Sequence, residues 1–343
     1  MDPYHPIAGS GKLLISVVVI GRNEGQRLRR CLESVFTMER QGFEIEVLYA
    51  DSGSTDGSVQ LATELGAEAI ALRPERPTAA IGRNAGWRRA RGSIVLFLDG
   101  DTILHPRFVA DSLAEFADRE VAVVWGHRRE LYPERSLYVR FLDLDWIYLP
   151  GPVPYCGGDA LFRRAVLEET GGFNETLIAG EEPELCERIG ALGYSILHVD
   201  HPMTGHDLAI TCWAQYWKRA TRAGHAFAEV SARSQASGGS FWVAEAKANR
   251  NRALILLGLV LAAGAAALVL ASVLPVLALL LFFAALALRS AWKVRWKTND
   301  AVALLLYGVN SHVQQIPIYI GQLQYRWNRR KGKRAMLFEY KQS

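Results

Sequence analysis

The chain has 343 residues, half of them apolar, with four cysteines and a formal net charge of +4. That length leaves room for one large domain plus further elements. Cys31, Cys156, Cys186 and Cys212 lack the spacing of a metal module, so they read as buried thiols in a reducing compartment. The positive balance comes largely from the end of the chain, "YRWNRRKGKR", where a basic run beside two aromatics suits an anionic lipid leaflet. No nucleic-acid partner is expected.

The opening "MDPYHPIAGSGKLLISVVVIG" lacks a basic segment followed by a long apolar core, so no cleaved signal peptide is expected and the domain after it is placed in the cytoplasm. Residues 13–20 read as a strand. Residues 25–36 follow as an amphipathic helix with Leu28, Cys31, Leu32 and Val35 on one stripe. A second strand, 43–50, runs into Asp51; a second helix, 57–66, closes at Gly66; a short strand, 67–72, comes third. This βαβαβ opening implies a parallel sheet with right-handed crossovers, a nucleotide-binding architecture, although no P-loop or G-x-G-x-x-G is present.

The loop "ADSGSTDGS" stands where such folds bind ligands. Helix capping accounts for Ser54, Thr55 and Asp56, whereas Asp51 at the carboxyl end of a strand is suited to accept hydrogen bonds from a base or a ribose. Further on, "GSIVLFLDGD" reads as a strand buried on both faces, delivering Asp99 and Asp101 to the same edge. Two like charges in D-G-D spacing repel unless a cation sits between them, and a divalent metal is the usual one. A plain turn at Asp99-Gly100, with Asp101 capping the next element, explains the same residues.

No charge occurs between Arg252 and Arg289. As one straight helix this stretch would be roughly 54 Å long, well beyond a bilayer core of about 30 Å. It is therefore expected to break near "ASVLP", residues 271–275, into a transmembrane hairpin. Lys247, Arg250 and Arg252 before it and Arg289, Lys293, Arg295 and Lys297 after it place both ends on the cytoplasmic side. Upstream, Trp213, Tyr216, Trp217, Ala220, Gly224 and Phe227 recur at helical spacing beside Lys218, Arg219 and Arg222, the pattern of a core stripe or of an interfacial helix. Residues 301–325 are uncharged but carry Asn310, Ser311, His312, Gln314, Gln315 and Pro317, which fits a re-entrant or interfacial segment better than a third span. The expected division is a catalytic domain at 1–205, an amphipathic connector at 206–250, the hairpin at 251–290 and a juxtamembrane helix with a basic tail at 291–343.

The blocks "SVVVIGRNE", "YADSGSTDGS", "AIGRNAGWRRARGSIVLFLDGD", "YCGGDALFRRAVLEETGGFNE" and "GEEPELCERIGALGY", in this order, resemble the family 2 glycosyltransferases. The resemblance runs from about Ile15 to about Asp200. It implies the α/β GT-A fold, a Rossmann-like mixed sheet flanked by helices, here with C-terminal transmembrane and interfacial helices. It also implies a UDP- or GDP-sugar donor, a divalent metal (Mn2+ or Mg2+) on the DxD, and inversion at the anomeric carbon. Matched by position, Asp51 falls on the nucleotide-contacting aspartate, Arg83 on the basic residue that precedes the DxD strand, and Asp99 and Asp101 on the DxD itself, four candidate donor contacts. His206 is a candidate third metal ligand of the kind many GT-A enzymes place after the acidic motif, with a plain exposed loop histidine as the alternative.

The family's usual second acidic motif is Glu-Asp. This chain has "GEEPEL", which makes Glu182 the expected general base with Glu181 as its neighbour; the same acids also suit a helix N-terminus beginning at Pro183. The Q-x-x-R-W motif of processive members is absent, so transfer of a single sugar is expected. The acceptor implied is a lipid or lipid-linked saccharide, in exopolysaccharide or glycolipid assembly at the inner membrane. Two other readings stay open: a polyprenyl-phosphate sugar synthase, and a degenerate GT-A module acting as a membrane scaffold.

Overall fold

A computed structural model describes residues 12–332. The absence of a leader, expected from the first residues, and the end of the basic tail fall on 1–11 and 333–343, outside the described residues. The described residues divide into two compact units: one holds residues 12–131 together with Ile147–Asp207, the other holds Tyr132–Trp146 and residues 208–332.

The first unit is built on β1 (Leu13–Gly21), in which every side chain from Ile15 to Ile20 is buried. It is followed by α1 (Gln26–Phe36), which buries Leu28, Cys31, Leu32 and Val35 as their spacing requires, then by β2 (Phe43–Asp51), α2 (Ser58–Glu64) and β3 (Glu68–Ala71). Next come α3 (Ala79–Arg89), capped where Thr78 accepts the Ile81 N–H, then β4 (Ile94–Asp99), β5 (Thr102–Leu104), α4 (Phe108–Ser112) and β6 (Val121–Glu130). After α5 (Leu137–Leu142), which falls in the second unit, the first unit resumes with β7 (Gly151–Val153), β8 (Ala160–Arg163), α6 (Arg164–Thr170), α7 (Glu181–Ala191) and β9 (Ser195–His206).

The nine strands form one mixed sheet in the order β3-β2-β1-β4-β8-β6-β9-β5, with β7 on β9. The four strands β3, β2, β1 and β4 are parallel, and β8 turns the sheet antiparallel. Strand order reverses about β1, which has β2 on one side and β4 on the other. That is the switch point at whose carboxyl ends open α/β sheets bind ligands. The register makes the edge concrete: Gly21 of β1 lies opposite Asp51 of β2, and Ile20 lies opposite Asp99 of β4.

The second unit is helical: α5, α8 (Trp213–Ala236), α9 (Val243–Val269), α10 (Leu274–Lys293), α11 (Ala301–Val313) and α12 (Gln315–Arg330). The uncharged run breaks in the expected place, with Ala271 in a left-handed conformation between α9 and α10 and Pro275 in the first turn of α10. Helix α9 begins ten residues before the apolar run, inside the stretch expected to be a connector. Helices α9 and α10 are long and apolar enough to cross a membrane: their most apolar 18-residue stretches have mean hydropathies of 2.3 and 2.1, and few residues of those stretches are fully buried. Helix α11, with 13 residues, spans only about 20 Å at about 1.5 Å per residue. It crosses α10 where Gly308 meets the Ala287 backbone and where Ser290 bonds His312 at 3.1 Å.

One expectation is corrected here. Cys212 is exposed while the other three cysteines are buried, because it immediately precedes α8 rather than lying inside an element. The aromatic stripe of α8 is divided. Tyr216, Ala220 and Gly224 turn inward, Tyr216 stacking on Tyr138 and donating to Asn310, whereas Trp213 stays 47% exposed.

Helices α8 and α12 touch backbone to backbone through Gly224 and Gly321; a Cβ on Gly224 would collide with the Ile318 carbonyl, and one on Gly321 with that of Thr221. Backbone cannot move aside as a flexible side chain does. Gly321→Val is therefore expected to destabilise the helical unit by on the order of 3 kcal/mol, seen as a lower melting temperature in detergent, with Gly258→Val, whose Cβ meets nothing, as the silent control.

Candidate active site

At the carboxyl edge of the sheet the charged side chains of the first unit converge. Their centre is Arg83 on α3, 2% exposed. Its Nη2 lies 3.0 Å from Oδ1 of Asp99, while its Nη1 lies 2.9 Å from Glu181 and 2.8 Å from Glu182. Burial alone would disfavour the guanidinium charge. The carboxylates of Glu182, Asp99 and Glu181 overcome that and raise its pKa.

Both glutamates stand in the first turn of α7, whose N-cap is Gly180 in a left-handed conformation. The helix thus starts at Glu181, two residues earlier than Pro183 allowed, and proline occupies its third position, where the missing N–H has no helical partner to lose. The acidic pair therefore enjoys the helix dipole and also faces the Arg83 cluster. Glu181 is buried against Arg83, whereas the Glu182 side chain is 16% exposed and keeps access to solvent. Burial, followed by the charge of Glu181, pushes the Glu182 carboxyl up to about 7, with Arg83 opposing.

The remaining predicted residues are distributed differently from a simple metal triad. Asp99 presents its carboxylate to Arg83 and, at 3.7 Å, to Arg128 of β6. Asp101 is buried and lies 3.4 Å from Nε2 of His206 on β9, whose other ring nitrogen is 3.8 Å from Glu130. Burial and the nearby Arg128 push His206 down to about 3, so its ring is neutral and fit to donate a lone pair. Among the described residues no three acidic, histidine or cysteine side chains form a ready-made metal cage. One carboxylate and one neutral imidazole do fit a divalent cation that takes its remaining ligands from diphosphate oxygens and water.

Asp51 is turned into its own loop. Its Oδ2 accepts the N–H groups of Gly53 and Ser54, at 3.0 and 2.8 Å, and its Oδ1 accepts the hydroxyls of Tyr49, at 3.0 Å, and Ser54. Those bonds occupy the carboxylate and fix the turn, so in this structure Asp51 shapes the loop at the mouth of the sheet. Asp56 does similar work, joining Ser58 to the Gly25 N–H of the neighbouring loop at 3.0 Å.

Three members of the cluster escaped the sequence reading: Arg128, Glu130 and Asp159. Asp159 stands just before β8, fully buried, inside the block "YCGGDALF". Its signal was a charge at the head of an apolar strand. Arg128 and Glu130 alternate on the last residues of β6, a period-two pattern that a strand boundary two residues off would hide.

Gly158 permits the close approach of these groups, since a Cβ there would stand 2.7 Å from Nη2 of Arg83 and 3.0 Å from Asp99. Gly158→Ala is expected to part that ion pair and lower turnover by tenfold or more while the melting temperature moves by only about 2–4 °C, as for a change near 1 kcal/mol in a unit of this size. Unchanged turnover in this variant would remove the Arg83–Asp99 contact from the catalytic geometry.

Comparison with known proteins places this architecture. Residues 16–171 match the family model for glycosyl transferase family 2, and residues 94–305 match that for glycosyl transferase family group 2. Glycosyltransferase AglE of Haloferax volcanii is 26% identical over 53% of this chain and 63% of its own length. The pre-mycofactocin glycosyltransferase of Mycobacterium tuberculosis is 27% identical over 59% of this chain and 44% of its own. The chain thus spans less than two thirds of the length of these relatives. In fold it is similar to the mannosyltransferase PcManGT of Pyrobaculum calidifontis, solved with GDP-Man and Mn2+, at a TM-score of 0.68 and 21% identity over 95% of this chain and 89% of that one. Because the second family model covers more than half of the sequence and the mixed sheet is of the GT-A type, the chain belongs to glycosyl transferase family group 2.

Proposed function

We propose that this protein is an inverting glycosyltransferase that moves one sugar from a UDP- or GDP-sugar to a hydroxyl of a lipid or lipid-linked acceptor at the cytoplasmic face of a membrane. The observation that carries the reading is the placement of Glu182. It is an acid with solvent access, raised toward neutral pH, held by Arg83 beside the Asp99-Gly100-Asp101 edge of a family 2 sheet. A base with a pKa near the working pH is the efficient choice for taking a proton from an alcohol.

In this mechanism the Glu182 carboxylate removes the proton of the acceptor hydroxyl, and the oxygen attacks the anomeric carbon on the face opposite the nucleotide. The bond from that carbon to the diphosphate oxygen breaks, and its electrons leave with the nucleoside diphosphate. Arg83 keeps Glu182 and Asp99 in fixed relation through the step, and the loop shaped by Asp51 borders the donor side. Asp101 and His206, with Asp99 beside them, would hold a Mn2+ or Mg2+ ion, which when bound neutralises charge on the departing diphosphate. A polyprenyl phosphate acceptor is already anionic and has less use for a base, so the raised Glu182 favours a hydroxyl. A scaffold without catalysis has no use for a buried cluster of this charge density.

Membrane attachment is supported by the bare apolar surfaces of α9 and α10 and by cations stacked on aromatics near the end of α10, Arg295 lying 4.1 Å from the Trp292 ring centroid. An anionic inner leaflet suits those charges.

Two outcomes check this reading. As the ionised form of Glu182 is the active one, single-turnover transfer to a hydroxyl acceptor is expected to fall about tenfold per pH unit below about pH 7. Glu182→Gln should lose that acid limb together with roughly a hundredfold to ten-thousandfold in rate, while donor affinity measured by calorimetry changes little. A wild-type rate in Glu182→Gln sinks the base assignment. Separately, the full-length protein is expected to stay with membranes through an alkaline carbonate wash; complete release overturns the hairpin.

A further inference from the structure

Asp159 occupies a place that ordinary strand pairing leaves open. The ladder between β4 and β8 ends at the pair Phe97–Ala160, two residues short of Asp99. Beyond it the Asp159 side chain takes over, its Oδ1 accepting the Asp99 backbone N–H at 3.0 Å. Its Oδ2 accepts the Thr204 hydroxyl of β9 at 2.8 Å. The end of β4 is thereby tied to the strand that carries His206.

For those two bonds an asparagine would serve, and a fully buried carboxylate is a costly way to make them. The charge has a further use. Arg128 stands between two acids, its Nη1 3.6 Å from Oδ2 of Asp159 and its Nη2 3.7 Å from Oδ2 of Asp99. Asp99 already has Arg83 at 3.0 Å on its other oxygen. Without the charge of Asp159, attraction would draw Arg128 onto Asp99, and a second guanidinium there would repel any divalent cation brought to the edge.

We infer that Asp159 is a positioning residue that fixes the backbone of Asp99 and, by sharing Arg128, keeps the Asp99–Asp101 edge negative enough to receive a metal–diphosphate group. The inference rests on the donor-and-metal reading above. Asp159 touches no reacting atom; it acts through Arg128 and through the end of β4.

The test is calorimetric titration of Mn2+ into the full-length protein in detergent, with GDP and in a parallel series with UDP, so that binding is read apart from turnover. In Asp159→Asn the acceptor for the Asp99 N–H remains and the charge is gone. Mn2+ affinity is expected to fall about tenfold, the equivalent of about 1.4 kcal/mol. Adding Arg128→Gln to that variant removes the displaced cation and should restore most of the affinity. Arg128→Gln alone is expected to bind Mn2+ at least as tightly as the wild type, and this comparison stands even if Asp159→Asn fails to fold. Wild-type affinity in Asp159→Asn, no recovery in the double variant, or weaker binding in Arg128→Gln alone each overturns the inference while leaving the donor-and-metal reading intact. If the wild type itself binds no Mn2+ with either nucleotide, that reading falls and this inference falls with it.

Discussion

The site depends on one buried cation. Arg83 holds Asp99, Glu181 and Glu182 within 3.0 Å, and those residues come from β4 and from the first turn of α7, elements far apart in sequence. Removing one partner of a buried ion pair leaves an uncompensated charge, at a typical cost of about 3–5 kcal/mol. The cluster is therefore strongly constrained: the three acids can be gathered at one edge only while the guanidinium stays among them. The same arrangement distinguishes the two glutamates, since Glu181 is sealed against Arg83 and Glu182 retains a path to solvent.

Around that contact the sheet performs a simple geometric task. Parallel strands β1, β2 and β4 end in register, so their carboxyl ends form a common edge, and the antiparallel entry of β8 brings Asp159 to the same place from the opposite direction. Strands β6 and β9 run parallel beside it, pairing Glu130 with His206. Positive and negative groups then lie side by side along the edge, where the carboxylates of Asp99, Asp101, Glu130, Asp159, Glu181 and Glu182 outnumber the guanidinium groups of Arg83 and Arg128.

The helical unit obeys a different physics. Its close crossings rest on glycines, Gly224 with Gly321 and Gly308 with Ala287, where backbones touch. Small residues at these crossings let the helix backbones approach within contact distance, so that dispersion between closely packed atoms adds up along each crossing. An ion pair fastens one end: Arg140 of α5 grips Asp300 through two bonds of 2.6 and 2.9 Å, and Asp300 in turn caps α11. Lys297 reaches the Leu144 carbonyl at 2.7 Å, so the short segment inserted after β6 is fastened to the turn at the end of α10.

The sequence by itself determined the parts whose signal is local. The buried run of β1, the stripe of α1, the DxD at the end of β4 and the break before Pro275 are each written in neighbouring residues, because a strand or helix must show its burial pattern over a few positions. Helix α3 shows no such pattern, since Arg83 and Asn84 sit on its buried side, and only their distant partners, Glu181 and Glu175 among them, make that burial tolerable. Asp51 and Asp99 looked alike in sequence, each an acid closing a strand, yet the first is consumed by its own turn and the second is shared between two arginines. Tyr216 and Trp213 likewise belonged to one stripe until packing against Tyr138 and Asn310 buried one and left the other exposed. Which charges meet, and which are already satisfied, depends on contacts spanning tens of residues, and those exist only once the chain has folded.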